Sequence, residues 1–384
     1  MMKLLIGGDI VPTESNRNFF CHPEQGELVD EGVRELLGQA DYRVFNLEVP
    51  LTGSNKKIAK FGPNLSAEKE CVRGLQKIGV DFVTLANNHI LDFGEEGLYD
   101  TIDVLRNAGI AFAGAGDSIN AASAPFFIDL GDCRIGIYCC AEHEFSVAGE
   151  STPGANPFDP LESPDHIAAM KRECDYLLVL YHGGKEFYRY PSPGLKKICE
   201  KCVEKGADLV ICQHSHCIGS MQKYRNGTIV YGQGNFLFDR VSDEFWDTGL
   251  LIGVEIEQGQ VNIQYYPVFK KDGLVKLAKD QERKAVLEDF YKRSEEIKDT
   301  QKLEKLYTAF AESRQSVYYK AFLGKKARSL ELRIRKRLLG ERVLKNRFSD
   351  VDRLRLVNFL ECEAHRELMI RFLKNGDKSD KRKD

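Results

Sequence analysis

Through roughly its first 215 residues the chain alternates short apolar runs with amphipathic stretches. The runs are Lys3–Gly7, Arg43–Leu47, Phe82–Ala86, Ile110–Ala113, Arg134–Cys140, Tyr176–Tyr181 and Asp208–Cys212. Each has the length and β-branched or aromatic content of a buried strand. Between them Glu31–Gln39, Ala67–Ile78, Gly94–Ala108 and Gly194–Lys205 repeat apolar residues at helical spacing. This alternation predicts parallel strand pairing with helices covering the sheet. Two hairpins add antiparallel pairing: Phe126–Leu130 with Arg134–Cys140 around Gly131-Asp132-Cys133, and Leu250–Glu257 with Val261–Phe269 around Gln258-Gly259-Gln260. The pattern predicts a mixed α/β domain over residues 1–273. From about Asp272 glycine becomes scarce and charge abundant, and Val286, Leu287, Phe290 and Tyr291 recur at helical spacing, which predicts a separable helical region over residues 274–384.

The ends of the predicted strands are chemically unusual. In α/β sheets ligands gather beyond the carboxyl ends of strands. Here those positions carry Asp9, then Asn46 and Glu48, then Asn87, Asn88 and His89, then Glu142 and His143, His182, and finally His214 and His216. Carboxylates and imidazoles after nearly every strand are the composition of a metal site for manganese, zinc or iron. The His214-Ser215-His216 step brings two imidazoles within reach of one small volume. Plainer readings are available for some neighbours. Asn87 and Asn88 suit a helix cap, Asp92 and Gly94 suit the turn into the next helix, and His143 between Glu142 and Glu144 suits a surface loop.

Composition narrows the picture. Hydrophobic residues make up 42% of 384, the globular range, and the net charge of -3 gives no signal for nucleic-acid binding. No apolar run approaches the ~18 residues of a membrane span. The short apolar start Met1–Asp9 reads as a first strand rather than a leader, and the 11 cysteines are an odd count. Together these predict a cytoplasmic protein with reduced thiols. Cys199 and Cys202 fall in a helical stretch and Cys212 and Cys217 flank the histidine pair, so they read as buried apolar thiols rather than zinc ligands. Lys320 to Arg347 holds eleven Lys and Arg against Glu331 and Glu341, a net of +9 by subtraction, with Ile334, Leu338 and Leu339 interleaved. A solvated helix face accounts for such a segment; an anionic membrane surface, an anionic polymer or an acidic partner would also suit it. The tail Lys374–Asp384 reads as frayed.

Taken in order, Gly8-Asp9, Asn46-Leu47-Glu48, Asn87-Asn88-His89 with Asp92 and Gly94, His182-Gly183-Gly184 with Glu186, His214-Ser215-His216 and Gly234-Asn235-Phe236 form a recognisable series. Over roughly residues 2–270 the chain resembles the bacterial capsule-synthesis CapA family, linked to poly-γ-glutamate production, within the calcineurin-like metallophosphoesterase superfamily. The resemblance implies a four-layer α/β/β/α sandwich with one or two divalent transition metals at one edge of the paired sheets. It implies Asp9, Glu48, Asn88, His182, His214 and His216 as metal ligands, Glu48 as the bridging carboxylate, and His89 as the residue that protonates a leaving group or steadies the transition state. Asn46, Asn87, Glu186 and Asn235 are the expected substrate-binding residues.

The series also departs from the superfamily. Its Asp-x-His is Asp9-Ile10-Val11 here, a glutamate takes the usual bridging aspartate position, and Gly184 stands where a tryptophan is common. Two functional expectations follow. One is a hydrolase in which metal-bound hydroxide attacks a phosphoester, or an amide or ester of an anionic polymer. The other is a non-catalytic capsule-assembly component that grips an anionic polymer or protein partner, peripheral to the inner face of the membrane.

Overall fold

The computed structural model describes residues 1–239, 243–324, 337 and 348–375. Two compact units partition the chain, Met1–Tyr307 and Thr308–Asp384.

The first unit is built on two mixed sheets. In the first, β1 (Met2–Ile10), β2 (Tyr42–Leu47), β3 (Phe82–Thr84) and β4 (Ala111–Ala113) run parallel. Antiparallel β14 (Thr248–Glu257), β15 (Gln260–Lys271) and β16 (Leu274–Leu277) continue it beyond β1, and the short β13 (Asn235–Leu237) lies parallel to the carboxyl end of β1. The second sheet runs β11 (Met221–Tyr224), β12 (Gly227–Val230), β10 (Leu209–Gln213), β9 (Tyr176–His182), β7 (Cys133–Ala141), β6 (Phe126–Leu130). A small ribbon pairs β5 (Ala115–Gly116) with β8 (Gly154–Ala155). Both expected hairpins form. The second turns through Gln258 (φ 51°) and Gly259 (φ 78°), the positive pair that matches the twist of its strands.

Strand alternation divides the apolar residues among three cores. Leu4, Ile6, Val44 and Phe82 face Ile137, Leu178, Leu180, Leu209 and Ile211 between the sheets. Leu5, Phe45 and Val83 point the other way, onto Val33, Leu75, Leu98 and Leu105 of α2 (Glu31–Gln39), α3 (Val72–Lys77) and α4 (Gly94–Ala108); α1 (Arg17–Cys21) joins this layer through Phe20. Leu177, Val179 and Val210 cover Ile167, Leu195 and Cys199 of α6 (Ser163–Lys171) and α7 (Pro193–Glu204). The two-residue strand period and the helical stripes thus generate the expected four-layer α/β/β/α sandwich. Local signals set the helix ends: Asp30 caps α2 through Val33 N, Ser192 caps α7 through Leu195 N ahead of Pro193, and Gly109 closes α4 in the left-handed region. The expected helix Ala67–Ile78 is shorter, a 3-10 turn over Lys69–Cys71 followed by α3. The remaining short helices of the unit are α5 (Ile119–Ala122) and α8 (Glu244–Asp247).

The division expected at residue 273 falls inside this unit. β16 pairs with β15, and α9 (Asp280–Glu296) packs Phe290 against Tyr265 with ring centroids 5.0 Å apart. The charged composition beyond residue 273 conceals four anchors, Val275, Phe290, Ile297 and Leu303, each at most 2% exposed. The described part of the second unit is helical, with the end of α10 (Thr300–Leu323), then α11 (Asp350–Glu361) and α12 (Glu363–Asn375). Most of the basic segment, 325–336 and 338–347, and the tail 376–384 lie outside the described residues. Among the described residues no helix is long and apolar enough to cross a membrane.

Candidate metal centre

Sheet register builds the site. At the carboxyl end of β1, Asp9 pairs across to Asn46 on β2 and to Asn235 on β13. Asn46, fully buried, donates from Nδ2 to Asp9 Oδ1 at 2.8 Å, and the same nitrogen lies 3.2 Å from His182 Nδ1. His182 ends β9, and its Nε2 lies 3.1 Å from Asn88 Oδ1 and 3.2 Å from Glu48 Oε1. His214 Nδ1 is 4.0 Å from Glu48 Oε1, and His216 Nδ1 is 3.6 Å from Asp9 Oδ2. Glu48, His214 and His216 offer donor atoms within 4.8 Å of one another, all from buried residues.

The histidine pair depends on backbone that few residues adopt. His214 and His216 have φ of 85° and 54°. Such conformations cost of order 1–3 kcal/mol each and persist only where the surroundings hold them. Gln213 at the end of β10 reaches Gly7 O and Gln233 Oε1, tying the loop to β1 across the sheets. His216 is stacked on Trp246, with centroids 4.7 Å apart, meets Phe238 edge-on, and donates from Nδ1 to Asn235 Oδ1 at 2.9 Å.

The donor set is that of a cation site. Both carboxylate oxygens of Glu48, Asp9 Oδ2 and His214 Nδ1 are buried and have no hydrogen-bond partner among the described residues. Four converging acceptor atoms without donors cost far more than an apolar core unless a positive charge joins them. The protein's own charges register the same imbalance. Burial pushes the Glu48 carboxyl up, but the imidazoles of His182, His216 and His214 hold it well below its usual range. Burial pushes the His216 imidazole down, yet Glu48 and Asp9 raise it to about 9; His214 is also raised against burial, by Glu48. A divalent cation bound here would favour the neutral imidazoles, with any displaced proton passing to solvent.

His89 sits beside this group and outside it. Its Nδ1 is 2.7 Å from Asp92 Oδ2, so Nε2 remains the nitrogen free of that bond. Asp92 is fully buried, pairs with Lys60, whose side chain is 2% exposed, and accepts from Leu65 N at 2.6 Å. The sequence assigned Asp92 only to a turn; the structure adds a grip on His89. Lys60 carries no sequence signal, since it stands in a polar loop and is recruited from 29 positions away. Glu144 was read as part of a surface loop but accepts from Asn88 Nδ2 at 2.8 Å.

The expected substrate-binding residues divide. Asn46 and Asn87 are fully buried behind the ligands: Asn87 donates to Leu47 O at 2.8 Å and accepts from His89 N. Their place in the structure is bracing, because no surface of either faces solvent. Asn235 is likewise fully buried, with Nδ2 unpartnered among the described residues. Glu186 alone is half-exposed, in the loop after β9. Val11, where the superfamily carries histidine, is 3% exposed and packed in the outer core of the first sheet. Cys199, Cys202 and Cys212 lie in the apolar core under α7, as expected.

Sheets paired face to face, with buried carboxylates and imidazoles at one edge, define an α/β/β/α sandwich that carries a candidate metal centre. Residues 3–240 match the family model described as "Bacterial capsule synthesis protein PGA_cap", and the chain belongs to that family. The capsule biosynthesis protein CapA of Bacillus anthracis is 29% identical over 223 residues, covering 56% of this chain and 54% of that protein. A "probable polyglutamine synthesis accessory protein" of Mycobacterium tuberculosis is 30% identical over 284 residues, covering 62% of this chain and 75% of that protein. The chain spans about half the length of the Bacillus anthracis and Bacillus subtilis CapA proteins, 54% and 56%. Similar solved structures include a phosphatase from Mycoplasma pneumoniae, at 16% identity and TM-score 0.41 over 70% of this chain and 88% of that one. Another is the 5'-nucleotidase of Candida albicans, at 11% identity and TM-score 0.40 over 83% of this chain and 58% of that one.

Proposed function

We propose that this protein is a metal-dependent hydrolase of capsule or poly-γ-glutamate synthesis, cleaving a phosphoester, or an amide or ester bond of an anionic polymer. The observation that carries this reading is the unsatisfied carboxylate of Glu48, buried among three imidazoles. Glu48, His182, Asn88 and His214 would hold one divalent transition metal, and Asp9, His216 and Glu48 a second. When bound, such a cation lowers the pKa of a coordinated water so that it can attack near neutrality. The chain's own residues do the rest. Asn46 holds Asp9 and His182 in register, and Trp246 and Asn235 fix the His216 ring. Asp92 fixes the His89 ring through Nδ1, and Nε2 of His89 delivers a proton to the leaving group.

The test compares His89→Ala with His214→Ala for metal content and for turnover of model phosphoesters with added manganese. His89→Ala should keep its metal and lose ~10²–10⁴ in rate. His214→Ala should lose both metal and turnover. Loss of metal from His89→Ala would make His89 a ligand and overturn the assignment.

Valine at position 11, where the resemblance implies a histidine, favours a second reading, because an apolar side chain offers no ligand atom on the Asp9–His216 side. In that reading the protein is a non-catalytic assembly component that binds an anionic polymer or a capsule-assembly partner. Its basic segment would contribute to that partner or to an anionic membrane surface on the cytoplasmic side. Wild-type protein that binds manganese but turns over no phosphoester, amide or ester decides for it.

A further inference from the structure

Cys21, Glu68 and Cys71 form a second group of metal-ligating side chains, far in sequence from the imidazoles, with donor atoms within 4.8 Å of one another. Cys21 Sγ and Cys71 Sγ are 3.3 Å apart, and Glu68 Oε2 is 3.9 Å from Cys71 Sγ. We propose that these three side chains bind a zinc-class divalent cation, with water completing the shell, and so clamp α1 to α3.

The backbone delivers the donors together. Cys21 is the last residue of α1, Cys71 closes the 3-10 turn that leads into α3, and Glu68 stands just before that turn. The two helices pack without slack. A Cβ on Gly74 of α3 would lie 2.4 Å from the Phe20 ring and 2.7 Å from its Cα, and Phe20 is fully buried. The thiols therefore meet through packing of neighbouring residues rather than through flexible reach.

The distances favour a cation over a covalent bridge. Zinc–sulfur bonds of ~2.3 Å at a tetrahedral angle separate two sulfurs by about 3.8 Å, whereas a disulfide brings them to ~2.05 Å. The observed 3.3 Å lies nearer the first value. A disulfide would also leave no part for Glu68. Arg17 lies 3.3 Å from Glu68 Oε1, which leaves Oε2 turned toward the sulfurs. Burial raises the Cys71 thiol well above its ordinary value, and Cys21 and Glu68 beside it add to the shift. A divalent cation at this point would favour the thiolates, taking the place of the thiol protons, which pass to solvent.

The test uses the full chain, stripped of metal and fully reduced, titrated with cobalt(II) as the spectroscopic stand-in for zinc. Wild type and His214→Ala should both develop thiolate-to-cobalt charge-transfer absorption, because the imidazole–carboxylate centre contains no sulfur. Cys21→Ser should lose that absorption. Glu68→Gln, a substitution at a half-exposed side chain, should retain the absorption at weakened affinity. Zinc should displace cobalt and shield two cysteines of the wild type from a thiol reagent. No charge-transfer absorption in reduced wild type, or an undiminished band in folded Cys21→Ser, overturns the proposal.

Discussion

The two ends of the sheets use the same carboxylate group in opposite ways. At the amino end, Asp41, Asp81, Asp175 and Asp208 each stand one residue before a parallel strand. Each carboxylate accepts a backbone N–H from the neighbouring strand: Lys3 N at 2.7 Å, Arg43 N at 2.8 Å, Arg134 N at 2.8 Å and Leu177 N at 2.7 Å. These aspartates close the ladder where its first N–H would otherwise lack a partner. At the carboxyl end, Asp9 Oδ2 and both oxygens of Glu48 are buried and accept nothing among the described residues. A cavity of about 910 Å³ opens at the amino end, lined in part by Asp41, Asp175 and Asp208, yet these carboxylates are already engaged. Volume alone points to the wrong end; unmet hydrogen-bonding capacity points to the right one. Stability explains the amino end; the carboxyl end holds buried groups that could bind a metal.

Three experiments would break or sharpen that contrast. The largest effect is expected at Asn46, which contacts Asp9 and His182 at once. Asn46→Ala should weaken metal binding by ~10–100-fold while leaving the fold intact, as measured by competition with a chelator. An unchanged affinity would mean that Asp9 and His182 are held by other contacts.

Next is Lys270, which is 6% exposed and donates to Asn235 O at 2.9 Å. Burial pushes its ammonium down to about 7, against the opposing pull of Asp247, Asp239 and Asp9. Below pH 7 the folded and unfolded chains both carry the proton, and the full cost of burying the charge is present. Between there and the ordinary value of 10.5 the folded chain has released a proton that the unfolded chain keeps. Lys270 alone should therefore add stability as pH rises, by about 2 kcal/mol from pH 7 to pH 9 in the metal-free protein, while His216, whose imidazole is raised to about 9, pulls the other way over the same window. Urea unfolding at both pH values should show that stability changes less favourably from pH 7 to pH 9 in Lys270→Met than in wild type, by about that amount. Equal slopes would remove Lys270 as the source.

The smallest effect is expected at the amino end. Asp208→Ala should cost ~1–3 kcal/mol by leaving Leu177 N without its acceptor. Metal content and turnover should stay at wild-type levels. A loss of metal in this variant would erase the distinction between the two ends.

The sequence by itself determined the layers, the hairpins and most of the polar side chains that gather at the carboxyl end. Two-residue alternation in Leu4-Leu5-Ile6 and Leu177-Leu178-Val179 dictates which face each side chain takes. Asp9, His182, His214 and His216 were legible because polar residues end runs that are otherwise apolar. The tertiary structure decided what no local pattern holds. Asn46 and Asn87 became braces rather than substrate contacts because parallel register sets Asn46 directly beside Asp9. Lys60 reached Asp92 and His89 by folding back a polar loop whose composition says nothing of burial. β16 and α9 joined the first unit through Val275 and Phe290, single apolar anchors among charges. Local periodicity governs the direction of a side chain, which the chain carries along its length. Partnership depends on which distant segments the sheets bring together, and that is settled only when the layers close.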